Sequence, residues 1–300
     1  MSTTSTGSSS PRDPSLPRAP YRPAEVDATL RSIGVVPSKR LGQSFLTNPF
    51  VADAEAALVG TAPGEPVVEV GGGLGVLTEA LLRRGIGPLT VVERDRRLAG
   101  HLRATFGRRV TILEGDALSL ELPPVRVVVG NLPFSVATPL LVRLWELRTP
   151  RIVALVQREV ADRLAAGPGS KVYGRLSVVA ALYGRVELFQ PVPATDFHPV
   201  PEVEGRSVLL TAREGGLPVP SVAAFETLLQ GLFSARRKQL ANLLPRVAPA
   251  GSDLDALAEE ADWPTGWRRL RPETLPPEAF FRMSTAVEGA RGRRRSTSDR

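Results

Sequence analysis

Three short segments carry the residues best suited to chemistry. Asn131-Leu132-Pro133-Phe134 follows an apolar run, Val127-Val128-Val129-Gly130, and so stands where a strand ends. Glu69-Val70-Gly71-Gly72-Gly73-Leu74-Gly75 lies where an earlier strand turns into a helix, and Glu114-Gly115-Asp116-Ala117 closes another strand. Glycines at a strand-to-helix turn let the backbone bend tightly and let a ligand approach the main chain. Such a loop serves a dinucleotide as readily as S-adenosylmethionine. Glu93 ends the next strand, about 20 residues on, where a carboxylate accepts from both hydroxyls of a ribose.

Two details favour S-adenosylmethionine. Glu69 sits inside the strand just before the loop, an acid better suited to a sulfonium than to a pyrophosphate. Asp116 can accept a hydrogen bond from an adenine amino group. Any one of Glu69, Glu93 and Asp116 reads as an ordinary solvated strand-end acid. All three at successive strand ends beside a glycine loop read as a cofactor site, with Gly71, Gly73, Glu93 and Asp116 as contacts.

Asn131 to Phe134 then falls at the carboxyl edge of the sheet, where ligands bind in such folds. An exocyclic adenine amino group is a poor nucleophile, because its lone pair is delocalised into the ring. The Asn131 side-chain oxygen and the Leu132 carbonyl can hold its two hydrogens and turn the lone pair towards a methyl donor. Pro133 fixes the backbone, and Phe134 offers a face for stacking on an extruded base. Catalysis of this kind is positioning for in-line transfer, without metal or covalent intermediate. In isolation the tetrapeptide reads as a β-turn; its place after the strand and the loop favours chemistry. Phe197-His198-Pro199-Val200-Pro201-Glu202-Val203 is a stiff loop that can bring Phe197 to the other face of the base. His198 has no acidic partner within that loop and is expected to be a bystander.

The elements that must hold these residues alternate strand and helix. Strands are expected at Pro66 to Val70, Leu89 to Glu93, Val110 to Leu113, Val125 to Val129 and Arg151 to Val156. Helices are expected at Val76 to Arg84 and Arg94 to Phe106. Val- and Ile-rich runs without polar alternation are buried on both faces, as in a parallel doubly wound α/β sheet. Tyr183 to Phe189 and Ser207 to Thr211 add strands at one edge. Residues 213–220 look like a linker. Ser221 then caps a helix whose apolar positions run from Phe225 to Leu244, and Leu254 to Ala261 forms another. The expected organisation is a disordered tail over 1–22, a catalytic domain over 23–212, a helical domain over 221–285 and a basic disordered tail over 286–300.

Composition narrows the function classes. Of 300 residues, 42% are apolar and none is cysteine, which excludes disulfides and thiolate chemistry and fits a reducing cytoplasm. Two histidines far apart, His101 and His198, argue against a histidine metal site. No apolar run is long enough to span a membrane, and no secretory signal is seen near Met1. Pro11, Pro14, Pro17, Pro20 and Pro23 would break the amphipathic helix of a mitochondrial targeting peptide. The net charge of +7 suits a polyanionic partner.

The motifs together resemble the KsgA/Dim family of small-subunit rRNA adenine dimethyltransferases, which share a Rossmann-like class I catalytic fold with the Erm rRNA methyltransferases. The resemblance spans about 30–285. It rests on residues 37–46, the Gly71 loop, Glu93, Asp116, Asn131 to Phe134, Gln157 to Val160, residues 167–177, Phe197 to Val203 and residues 235–238. It implies cofactor contacts from Ser44, Leu46, Gly71, Glu93, Asp116 and Asn131, with residues 37–46 as a lid. It also implies a basic surface for rRNA, with Arg158, Lys171, Arg175, Arg236, Arg237 and Lys238 as candidate phosphate contacts. Ser44, Phe134 and Gly205 stand where the family usually has Asn, Tyr and Ser, and none of these changes removes a group the transfer needs. The activity implied is dimethylation of two adjacent adenosines by a monomer acting on the assembling small subunit. Residues 167–177 and 235–242 look more like KsgA than Erm. An intact Glu93, Asp116 and Asn131 set argues against a non-catalytic RNA-binding factor.

Overall fold

The uninterrupted Val and Ile runs form the strands of a single sheet, in a computed structural model that describes residues 18–37, 43–215, 217–235 and 238–298, the last five as backbone alone. The chain opens with Pro23–Ser32 (α1), Phe45–Leu46 (β1) and Pro49–Leu58 (α2). Val67–Val70 (β2), Val76–Arg83 (α3), Leu89–Glu93 (β3), Arg96–Phe106 (α4) and Val110–Glu114 (β4) follow. Next come Val127–Asn131 (β5), Ala137–Glu146 (α5), Arg151–Gln157 (β6), Arg158–Leu164 (α6) and Arg175–Tyr183 (α7). The strands Gly184–Val192 (β7), Phe197–His198 (β8) and Gly205–Ala212 (β9) precede four helices: Val222–Phe233 (α8), Leu240–Leu243 (α9), Leu254–Glu260 (α10) and Pro277–Ser298 (α11).

The seven-stranded sheet runs β4-β3-β2-β5-β6-β9-β7, and β1 and β8 form a separate antiparallel pair. The pairings β3–β4, β2–β3, β2–β5 and β5–β6 are all parallel. The order reverses between β2 and β5, and that switch point brings the carboxyl ends of both strands together at one crevice. Every residue of β2 is buried, as are Val127 to Gly130 of β5 and Ile152 to Val156 of β6. Each fully buried Val, Leu or Ile side chain among them contributes about 1.5–3 kcal/mol relative to leaving it in water. The two further strands at one edge are present as β9 and β7.

Local chemistry sets the helix starts. Asn48 Oδ1 accepts from Phe50 N at 3.0 Å with Pro49 in the first turn, and Asp95 Oδ1 accepts from Arg97 N at 2.8 Å. Ser221 caps α8 by accepting from Ala224 N at 3.3 Å.

By internal contacts the chain divides into residues 1–156 with 191–207, and residues 157–190 with 208–300. The expected linker at 213–220 is therefore not where the division falls. In the second unit the buried side of α7 includes Val178, Val179 and Leu182, and Tyr173 donates to the Leu275 carbonyl at 2.9 Å. Helix α7 packs on α8 and α11, and Tyr173 ties the segment before α7 to the chain just ahead of α11.

Other differences have local causes. Arg18 to Arg22 fall in the expected tail, yet Ala19 is buried and its N–H donates to Glu79 Oε2 at 2.6 Å. The expected helix through Leu244 stops at Phe233 and resumes at Leu240. The last helix runs on through Ser298, across the expected basic tail, with Ala286 and Val287 buried and Arg293 paired to Glu260 at 3.1 Å. Residues 1–17, 38–42, 236 and 237 lie outside the described residues, among them most of the N-terminal tail, half the expected lid, and Arg236 and Arg237.

Candidate active site

A cavity of ≈ 300 Å³ opens at the carboxyl ends of β2, β3, β4 and β5 within the first unit. Gly73 needs its positive φ of +55° to turn the loop, and its N–H then donates to Glu93 Oε2 at 2.9 Å. Asp95 N donates to the other oxygen of Glu93 at 2.8 Å. Glu93 is thus fixed by two backbone donors, with lone pairs left over for a ligand's hydroxyls. Burial still raises its pKa above the usual carboxylate range. Asp116 is held by one backbone donor and one cation: Oδ1 accepts from Leu118 N at 2.9 Å, while Oδ2 lies 3.3 Å from Arg94 Nη1.

Glu69, expected beside the cofactor, lines the same cavity. It is fully buried, its one side-chain partner is Thr78 Oγ1 at 2.7 Å, and burial pushes its pKa up to about 8. Burial therefore disfavours the charged form of Glu69, whereas a cation beside it would favour that form.

Asn131 is the last residue of β5, and the chain turns only after it: Val136 N donates to the Pro133 carbonyl at 2.9 Å, just ahead of α5. The turn reading of the tetrapeptide is therefore displaced by two residues, and Asn131 remains in the strand. Its backbone is packed against β2, because a Cβ on Gly130 would come within 2.3 Å of the Val70 carbonyl. The side-chain oxygen of Asn131 is buried and has no hydrogen-bond partner among the described residues. A buried acceptor without a donor is costly unless a ligand supplies one.

The far wall comes from β1 and β8, where Leu46 pairs with Phe197 and Phe45 with His198. Thr47 N and Oγ1 both donate to the Asp196 carbonyl, at 2.8 and 2.9 Å, which holds the entry to β8. Phe197 is buried, and its ring meets Phe134 edge to face at 6.3 Å and 65°. The two rings touch each other and do not stand as parallel walls.

Against known families, residues 37–260 match the one described as ribosomal RNA adenine dimethylase. The chain belongs to that family. It is 41% identical over 279 residues to a protein of Deinococcus radiodurans named ribosomal RNA small subunit methyltransferase A, covering 91% of each chain. A protein of the same name from Gloeobacter violaceus is 37% identical, over 86% of this chain and 98% of the other. Among solved structures, a dimethyladenosine transferase from Plasmodium falciparum superposes with a TM-score of 0.71 at 22% identity, over 82% of this chain and 98% of the other. The 23S rRNA methyltransferase ErmE superposes with a TM-score of 0.63 at 24% identity, over 81% and 99%. At such identities the likeness is one of fold, and the fold is that of class I methyltransferases.

Within this adenine dimethylase, Ser44, Leu46, Gly71, Gly73, Glu93, Asp116, Asn131, Leu132, Pro133, Phe134 and Phe197 all line the one cavity. The residues fit S-adenosylmethionine: two anchored carboxylates face a glycine loop, with an unpartnered amide oxygen beside them. The candidate phosphate contacts lie in the second unit, where Arg158, Lys171, Arg175 and Lys238 are exposed. Arg158 also lies 3.8 Å from Asp162 one helical turn on.

Phe45, within the expected lid, covers the loop, 3.3 Å from where a Gly73 Cβ would stand. Sequence reasoning missed other supporting groups. Arg143 on α5 donates to the carbonyls of Leu118, and of Leu120 at 2.6 Å, bracing the Asp116 loop. His198 does have an acidic partner: Asp27 Oδ1 on α1, 2.8 Å from Nε2. The spacing could not show that pair, which joins residues 171 positions apart.

Proposed function

We propose that this chain transfers methyl groups to the N6 amino group of adenosines in small-subunit rRNA, two methyls on each of two adjacent bases, during ribosome assembly. The observation that carries this reading is the buried Asn131 oxygen at the edge of the cavity, without a partner among the described residues. When bound, S-adenosylmethionine supplies an electrophilic methyl on a sulfonium. Glu93 accepts from the ribose hydroxyls and Asp116 from the adenine amino group, while Ser44, Leu46 and the Gly71 to Gly73 backbone close around the ligand. In the first transfer Asn131 Oδ1 and the Leu132 carbonyl accept the two hydrogens of the target amine and aim its lone pair. In the second, one of the two acceptors holds the single hydrogen that remains. Phe134 and Phe197 take the base between them once their edge-to-face contact opens. Positioning of this kind lowers the barrier without a general base of perturbed pKa.

Arg158, Lys171, Arg175, Arg236, Arg237 and Lys238 supply the phosphate contacts, and the enzyme works as a monomer in the cytoplasm. The names of the curated relatives support the small-subunit substrate. No helix among the described residues is long and apolar enough to cross a membrane.

The test is transfer of labelled methyl to immature small subunits and, in parallel, to protein-free large-subunit rRNA, followed by nucleoside analysis. N6,N6-dimethyladenosine in the small subunit alone is the expected result. Label in large-subunit RNA would replace this reading with an Erm-like one, and label in neither would leave an RNA-binding factor.

A further inference from the structure

His198 is the second of the two residues of β8, and its backbone pairs with Phe45 while Phe197 pairs with Leu46. A ladder this short holds little by itself. The chain leaves it through Pro199 and Pro201, which have no N–H to donate. The orientation of the Phe197 ring therefore depends on what else grips this strand. Thr47 grips it from the preceding side, through the Asp196 carbonyl. On the following side the grip is the His198 ring, whose Nε2 lies 2.8 Å from Asp27 Oδ1.

Asp27 belongs to a helix that is firmly seated. Val26 and Leu30, on either side of it in α1, are buried in one cluster with Phe45, Leu74 and Leu98. Just past the helix, the Gly34 carbonyl accepts from the Arg97 guanidinium on α4. One helix thus packs on the cofactor loop through Leu74 and holds the target-side wall through His198.

We propose that Asp27 and His198 form a latch by which α1 positions the Phe197 ring against the target base. His198 is a positioning residue that acts through Phe197 and touches no reacting atom. The latch rests on the adenine-methylating reading of the cavity. The His198 and Asp27 side chains are 23% and 47% exposed, and a pair so placed adds little to global stability. Its effect is expected in the geometry of transfer.

The test uses the full chain. Asp27→Ala and His198→Ala are each expected to slow single-turnover transfer to small-subunit particles roughly tenfold, the scale of a modest misplacement of a positioning group. The double variant should be no slower than either single one. Asp27→Asn, which keeps an acceptor for the ring, should recover most of the rate. In a Phe197→Leu background, His198→Ala should cost nothing further, whereas a merely structural role would cost the same in both backgrounds. Equal losses in the two backgrounds, or additive losses from Asp27→Ala and His198→Ala, would overturn the latch. Hydrogen exchange decides the matter independently of substrate: Asp27→Ala should speed exchange of the amides at 196–198, and unchanged exchange there would overturn it. A wild-type chain that methylates no RNA would contradict the proposed function alone.

Discussion

The meeting of Asn131, Glu93 and Asp116 at one cavity was legible because Asn131 and Glu93 end strands and Asp116 stands two residues past one, and in a parallel sheet the carboxyl ends of neighbouring strands meet at one edge. A residue type at a strand end is therefore already a statement about position. Asp116 offers a direct test at the level of a single side chain. Its carboxylate is anchored by Leu118 N, and Asp116→Ala removes a charged acceptor worth about 1.5–3 kcal/mol. The Kd for S-adenosylmethionine should rise by about 10- to 100-fold, read by calorimetry, while the single-turnover rate at saturating cofactor stays within severalfold of wild type. The burial of Glu69 was not legible, because sequence shows an acid in a strand but not that a threonine hydroxyl is its one side-chain partner among the described residues. Nor was the partner of His198, since a loop read on its own does not reveal a carboxylate on a distant helix.

At the scale of elements, strands were read well because their apolar runs are short, bounded and nearly free of polar breaks. Gly130 belongs to that scale. Gly130→Ala drives a methyl to within 2.3 Å of the Val70 carbonyl, so β5 and β2 must separate where Asn131 is held. Thermal melting should fall by several degrees, from a loss of about 1–3 kcal/mol, and transfer should fall with it. Ser221→Ala removes the cap of α8 and should lower stability by about 1 kcal/mol in urea titration, with transfer kinetics unchanged at saturating RNA. The break between α8 and α9 was hidden because the apolar spacing carries on across it. The far end of α11 was hidden too: an Arg- and Ser-rich run reads as a solvated tail unless the helix before it is known to be packed.

For the molecule as a whole, buried acids set the response to pH. Glu55 and Glu69 are fully buried, and burial pushes both up to about 8 from 4.5. Between those values the folded chain keeps protons that the unfolded chain has released, so stability falls as pH rises, by at most about 1.4 kcal/mol per pH unit for each group. Urea midpoints should decline from about pH 5 to pH 8 and level off above it. Glu55→Gln, which keeps the acceptor for Ser207, should flatten that decline. The basic composition suits a polyanion, but net charge alone says nothing of where the charges lie, so the phosphate contacts were named from the resemblance and not from composition.

The measurement closest to the central claim compares Asn131→Ala with the wild type for single-turnover methyl transfer and for S-adenosylmethionine affinity. If the unpartnered oxygen is there to hold the target amine, transfer should fall by about 100-fold or more while the cofactor Kd changes by less than about threefold. A loss of cofactor affinity as large as the loss of rate, or transfer that survives the substitution, would contradict it.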